Sequence, residues 1–185
     1  GAKRGERNLT GLRGIIGELI DVPVGLENAI DVAAGRGLEN IVVETSYQAQ
    51  QAIEHMKRKN LGRVTFLPLD TLRVQKVPEN VVKALKALPG VLGLASELIK
   101  YDAQYEKAVE YLLGRVLIVE KLQDGMQVFK HSQYPLRIVS LDGELINVSG
   151  AITGGSMSNK RVSPLQRKGE EKRIEQEIEN QQRLL

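Results

Sequence analysis

The chain has 185 residues, 42% apolar and 26% charged, with a formal net charge of +3, enough for one ordinary domain or two small lobes around a packed core. Zero cysteines exclude disulfides, thiolate zinc sites and cysteine nucleophiles, and two isolated histidines, His55 and His131, cannot assemble a metal cluster alone. No uninterrupted apolar window approaches a membrane span and GAKRGERN has no apolar signal core, so a soluble, cytoplasmic protein is expected, with a basicity that permits an acidic polymer as partner without requiring one.

In chain order, an apolar run from Ile15 to Val22 meets Pro23, and a helical pattern spans Leu26 to Ala34 and stops at Gly35-Arg-Gly37. A β-branched run at Ile41 to Val43 predicts a strand. Tyr47 to Lys59 carries Ala49, Ala52, Ile53 and Met56 on one helical face with Ser46 placed to cap it, and Val64 to Leu67 returns as a strand. Between Pro78 and Pro89-Gly90 lies one short connecting helix. The second half predicts strands near Leu94 to Ile99, Val116 to Val119, Leu136 to Leu141 and Leu145 to Val148, with helices at Gln104 to Leu113 and Leu122 to His131.

The two halves read alike. GLRGIIGELI (Gly11 to Ile20) matches GVLGLASELI (Gly90 to Ile99), Glu27-Asn-Ala-Ile matches Glu106-Lys-Ala-Val, and Ile41-Val-Val-Glu44 matches Leu117-Ile-Val-Glu120. Phe66-Leu-Pro-Leu-Asp70 likewise matches Ile138-Val-Ser-Leu-Asp142. These blocks, in one order, point to an internal repeat and an α/β (α+β) fold of two similar small lobes. The expected organisation is lobe one at 11–72, a connecting helix at 73–89, lobe two with a glycine-rich edge strand at 90–156, and a basic segment opening a coiled-coil helix at 157–185.

SGAITGGS (residues 149–156) has the outline of a phosphate loop, but Ser156 stands where the phosphate-reaching lysine belongs and Met-Ser-Asn is a poor helix start. The recurring acids Glu18, Glu97, Glu44 and Glu120 come with no assembled nucleophile, base and oxyanion donors, so no catalytic residue is assigned. A two-lobed enzyme domain binding a phosphate or nucleotide through the glycines is the alternative reading. The favoured one is that Gly143, Gly150, Gly154 and Gly155 let another backbone approach a rim strand whose Ile146, Val148 and Ile152 add apolar contact. Beyond it, Lys160, Arg161, Arg167, Lys168, Lys172 and Arg173 form a basic stretch suited to phosphates. Ile174, Ile178 and Leu185 then begin a seven-residue seam.

On Gly11-Leu-Arg-Gly14, Leu26-Glu-x-Ala-Ile30, Ile41-Val-Val, Asp142-Gly143-Glu-Leu-Ile and Gly150-Ala-Ile-Thr-Gly154-Gly155-Ser, the chain resembles the hinge domain of SMC proteins, prokaryotic type, from about Gly11 to Arg173. The resemblance implies a module at the far end of an antiparallel coiled coil. Two hinges would close a homodimer through two equivalent contacts, lobe one of each on lobe two of the other, with the glycine-rich stretch in the contact. It implies DNA contact, non-specific and through the backbone, at Lys160 and Arg161, with Arg167 and Lys168 continuing that surface by proximity. No metal or cofactor is implied here: ATP, and kleisin-type subunits, would engage only head domains outside this stretch, on a cytoplasmic, nucleoid-associated protein. Only about ten residues precede Gly11, so the incoming arm is almost absent, as in a piece cut from a longer chain.

Overall fold

The computed structural model describes residues 11–156 and 164–184. Three strands form a first sheet in the order β1 (Leu12–Ile15), β3 (Ile41–Val43), β4 (Phe66–Pro68), antiparallel then parallel. A five-stranded sheet runs β10 (Ile152–Thr153), β9 (Leu145–Ile146), β8 (Arg137–Ser140), β7 (Val116–Val119), β5 (Val91–Leu94). Within it β5 is antiparallel and β8 parallel to β7, which repeats the first sheet's pattern. Both β1 and β5 shift register at the same place, between Leu12 and Gly14 and between Val91 and Gly93. A two-stranded ribbon, β2 (Ile20–Asp21) with β6 (Lys100–Tyr101), pairs one half with the other.

The helices follow the same doubling. After α1 (Ile16–Leu19), α2 (Glu27–Ala34) and α5 (Glu106–Leu113) are both eight residues long and both stop at a glycine, Gly35 and Gly114. α3 (Ser46–Lys59) and α6 (Leu122–His131) begin against glycines: a Cβ on Gly11 would strike the Gln48 side chain, and one on Gly90 the Asp124 carboxyl. Gln48 and Asp124 lie in the first turns of these helices and reach back to the cap residues, their side chains accepting from Thr45 N at 3.0 Å and Lys121 N at 3.2 Å. Thr45, not Ser46, caps α3: its Oγ1 accepts from Gln48 N at 3.2 Å, and Ser46 is already the first helical residue.

The continuous apolar run VLIV of β7 is explained by burial on both faces. Val116 and Ile118 face one core with Ile30, Ala33, Val109 and Leu113, while Leu117 and Val119 face a second with Leu85, Val128, Ile138 and Ile146. The first core draws on both halves, so the lobes are not separately packed. α4 (Glu79–Lys86) does not stand between them; Leu85 docks it onto lobe two beside β5. α7 (Pro164–Arg183) starts on lobe one, where Leu165 is 1% exposed, and then runs clear of it, with Ile174 56% and Ile178 50% exposed.

The run from Ile15 to Val22 splits into strand end, α1 and β2, because Ile16 and Ile20, one helical turn apart, both enter the shared core. The strand expected near Leu94 to Ile99 lies earlier, at Val91–Leu94, followed by a 3-10 turn at Ala95–Glu97. Leu145 to Val148 keeps only two residues of strand, because Gly150 N–H donates to Asn147 O at 2.8 Å and turns the chain.

Candidate dimerisation margin and basic surfaces

Among the described residues β10 and β4 each end their sheet, as β1 and β5 do at the opposite margins. β10 pairs β9 on one side only, Ile152 with Ile146 and Thr153 with Leu145. Residues 151–156 are all exposed, and Val148 and Ile152 are 51% and 49% exposed beside Phe129 at 37%. A Cβ on Gly150 would come within 3.1 Å of the Phe129 ring, so that glycine, at φ +93°, serves the protomer's own turn. Gly143, with its N–H on Ser140 O at 2.9 Å, likewise closes the β8–β9 turn. Gly154 differs: its φ is ordinary and the nearest atom to an added Cβ is Glu144 Cγ at 3.4 Å, so the protomer itself does not require a glycine there. Nothing lies within 4 Å of a Cβ on Gly155, whose φ of +129° still disfavours other residues.

Ile146 does not belong to this surface. It is 2% exposed in the second core, and its strand is paired on both sides, by β8 and β10. An interior strand of two residues carries the same short apolar pattern as an edge one, which is why the sequence placed it outside.

The second of these margins is β4. Ile41 N donates to Thr65 O and Leu69 N to Val43 O, so Thr65 and Leu69 face β3 and the alternation turns Phe66 outward. Pro68, also outward, has no N–H. Phe66 holds the place that Ile138 holds in lobe two, since Ile41 pairs Phe66 as Leu117 pairs Ile138. There β9 covers the strand, Ile138 opposite Ile146. In lobe one no described strand covers that place.

The basic stretch of α7 is largely engaged. Lys168 Nζ donates to Gly17 O and Glu18 O at 3.0 Å and Ile20 O at 3.1 Å, which fills its three N–H groups, so it is not a free phosphate ligand. Lys172 pairs with Asp21 and donates to Val22 O at 3.1 Å, and Arg173 lies 3.6 Å from the buried Glu27. Arg167 is exposed. Lys160 and Arg161 lie outside the described residues, as does Leu185 of the seam.

Other positive charge is unspent. Lys57, Arg58 and Lys59 form the last turn of α3, and Arg36 and Arg63 line a cleft of about 300 Å³ with Glu39, Asn40, Val64 and Thr65. All five cations are exposed, and among the described residues none takes part in an ion pair. The run Met-Lys-Arg-Lys-Asn-Leu-Gly-Arg was visible in the sequence, but lysines closing a helix are explained by its dipole alone; only folding brings Arg36 alongside Arg63.

Residues 9–129 match the family profile described as SMC proteins Flexible Hinge Domain. The chain is 38% identical over 177 residues to the Chromosome partition protein Smc of Desulfitobacterium hafniense, covering 96% of this chain and 15% of that protein. The Geobacillus stearothermophilus SMC hinge domain, solved as an asymmetric dimer, superposes with a TM-score of 0.84 at 34% identity, covering 99% of this chain and 73% of that one. The Pyrococcus furiosus Smc hinge domain with an extended coiled coil gives a TM-score of 0.67 at 33% identity, covering 95% and 63%.

Proposed function

This chain belongs to the SMC hinge family, and we propose that it joins two copies of itself by docking β10 of one protomer on the β4 margin of the other. The observation that carries this is the glycine at position 154 on a solvent-exposed rim, where the protomer has room for a side chain. Close approach of a second backbone gives that glycine a purpose. The place at Phe66 that no described strand covers, filled within lobe two by β9, supplies the receiving edge. Since each protomer has one margin of each kind, a two-fold arrangement satisfies both pairs and closes the assembly. The Geobacillus relative, a dimer, supports the same reading here. Val148, Ile152, Gly154 and Gly155 are the interface residues on lobe two; Gly143 and Gly150 contribute by shaping the turns.

Replacing Gly154 with valine is expected to leave the circular dichroism of the fold unchanged and to raise the dimer dissociation constant by about 100-fold, or about 2.8 kcal/mol. Sedimentation velocity across a concentration series reads the change; dimers as tight as the parent's would end this assignment.

A second function, non-sequence-specific contact with DNA phosphates, is favoured by the unpaired cations Arg36, Lys57, Arg58, Lys59 and Arg63, joined by Arg167 and, outside the described residues, Lys160 and Arg161. The phosphate-loop enzyme reading is weaker: Gly150 N–H is bonded to Asn147 O and Ala151 N–H to Ser149 Oγ, so these amides are not free to converge on an anion. ATP hydrolysis and kleisin-type partners are assigned to head domains and not to the hinge, and α7 to the start of the coiled-coil arm, with the hinge itself needing no cofactor.

A further inference from the structure

We propose that Lys168 is the positioning residue that fixes the direction in which α7 leaves lobe one, and that the cleft beside α7 is the space into which the helix leans when Lys168 lets go. The proposal rests on reading α7 as the start of the arm. Lys168 is half-buried, and its ammonium converges on three carbonyls, Gly17 O, Glu18 O and Ile20 O, at 3.0, 3.0 and 3.1 Å. Two of these carbonyls belong to α1 near its C-terminal end, where they lack helical partners and the dipole is negative. The third belongs to the first residue of β2, which pairs Tyr101 of lobe two. One side chain thus grips the segment that ties the two halves together.

The neighbouring residues confine the helix at the same place. Gly169 packs so closely on the Glu27 carboxylate that a Cβ would lie 2.5 Å from its Oε1, and Lys172 and Arg173 engage Asp21 and Glu27. All of these holds are to lobe one. Beside these contacts a cleft of about 520 Å³ opens between α7 and the ribbon, lined on the helix by Lys168, Glu171, Lys172 and Glu175 and on the body by Glu18 to Asp21 of lobe one with Lys100 and Tyr101 of lobe two. Lys100 is the lobe-two cation of this lining, and Glu171 and Glu175 are the helix acids it would draw across once Lys168 no longer holds α7 to lobe one. From Lys168 to Gln181 the helix is a lever of about 20 Å, so a small tilt at its base gives a readable displacement.

Because the chain has no cysteine, engineered pairs can be spin-labelled cleanly. Gln181→Cys is combined with Ala103→Cys in lobe two or with Gln50→Cys in lobe one, all at exposed positions, and distances are measured by pulsed electron paramagnetic resonance in protein diluted with unlabelled chain. Lys168→Met is expected to shorten the 181–103 distance by several ångströms and lengthen the 181–50 distance. Adding Lys100→Glu should cancel the shortening, which loss of packing alone would not do. Parent-like distributions in Lys168→Met, or a lean that survives Lys100→Glu, would overturn the proposal. If Lys168→Met does not fold, Lys168→Arg carries the same test, since a planar guanidinium cannot reproduce three converging bonds. Sedimentation of the same samples reads dimerisation separately, so failure of that reading is told apart from failure of this one.

Discussion

Glu110 on α5 is half-buried, and burial raises its carboxyl above the ordinary range, with Glu106 and Glu97 adding to the rise while Ser96 Oγ and the Lys76 ammonium offset part of it. A folded-state pKa above the unfolded one means that the folded chain holds this proton more tightly. The group's contribution to stability is therefore full below the ordinary carboxylate pKa and is lost as pH climbs through the raised value. Glu110→Gln, neutral at every pH, is expected to stabilise the protein at pH 7 by less than ~1 kcal/mol, since solvent screens the site, and to give no gain below about pH 4. Urea melts at the two pH values check this; an equal gain at both would mean that the charge was irrelevant. The same scale shows what a sequence conceals. Ile146 and Val148 differ by two positions and would share a face in a longer strand, yet one is 2% and the other 51% exposed, because the chain leaves the strand and turns at Asn147. Lys168 sits in a run of cations in sequence and is saturated with carbonyls in space.

At the scale of the element, α3 carries a reciprocal cap, Thr45 Oγ1 accepting from Gln48 N and Gln48 Oε1 from Thr45 N. Thr45→Ala leaves an amide without its partner and is expected to cost about 1 kcal/mol, lowering Tm by about 2–4 °C in a chain of this size. Differential scanning calorimetry would show it; an unchanged Tm would mean that water or Ser46 replaces the cap. Elements with strong local signals were legible before folding: Ile41–Val43, Val116–Val119 and Leu122–His131 fall where apolar period and β-branching put them. α1 was not, since four residues are too few to show a helical period. Its end is held instead by Lys168, about 150 residues away in sequence.

At the scale of the molecule, positive charge is distributed by contact rather than by sequence. Lys168, Lys172 and Arg173 of α7 are engaged with lobe one, while Arg167 and the cations at the end of α3 face water. Reversing Arg58, Lys59 and Arg63 to Glu is expected to weaken binding to a DNA duplex and to flatten the dependence of log K on log salt by about 3 in slope. Fluorescence anisotropy at several salt concentrations would report both, and an unaltered slope would remove this face from the DNA-contacting surface. The Gly-x-x-Gly blocks were readable as matching runs, and each opens on a strand, Leu12–Ile15 and Val91–Leu94, paired antiparallel with a register shift. That the two halves fill one core was not readable, since it depends on Val116 and Ile118 facing the same side as Ile30 and Ala33.

That joint core has a consequence for synthesis. Residues 16–34 emerge from the ribosome with an apolar face whose covering residues, Val109, Val116, Val139 and finally Leu165, have not been translated. At ordinary elongation rates the roughly 130 residues between Ala34 and Leu165 take on the order of 10 s. Throughout that interval the nascent first half is a substrate for chaperones, and α7 is the last piece to relieve it.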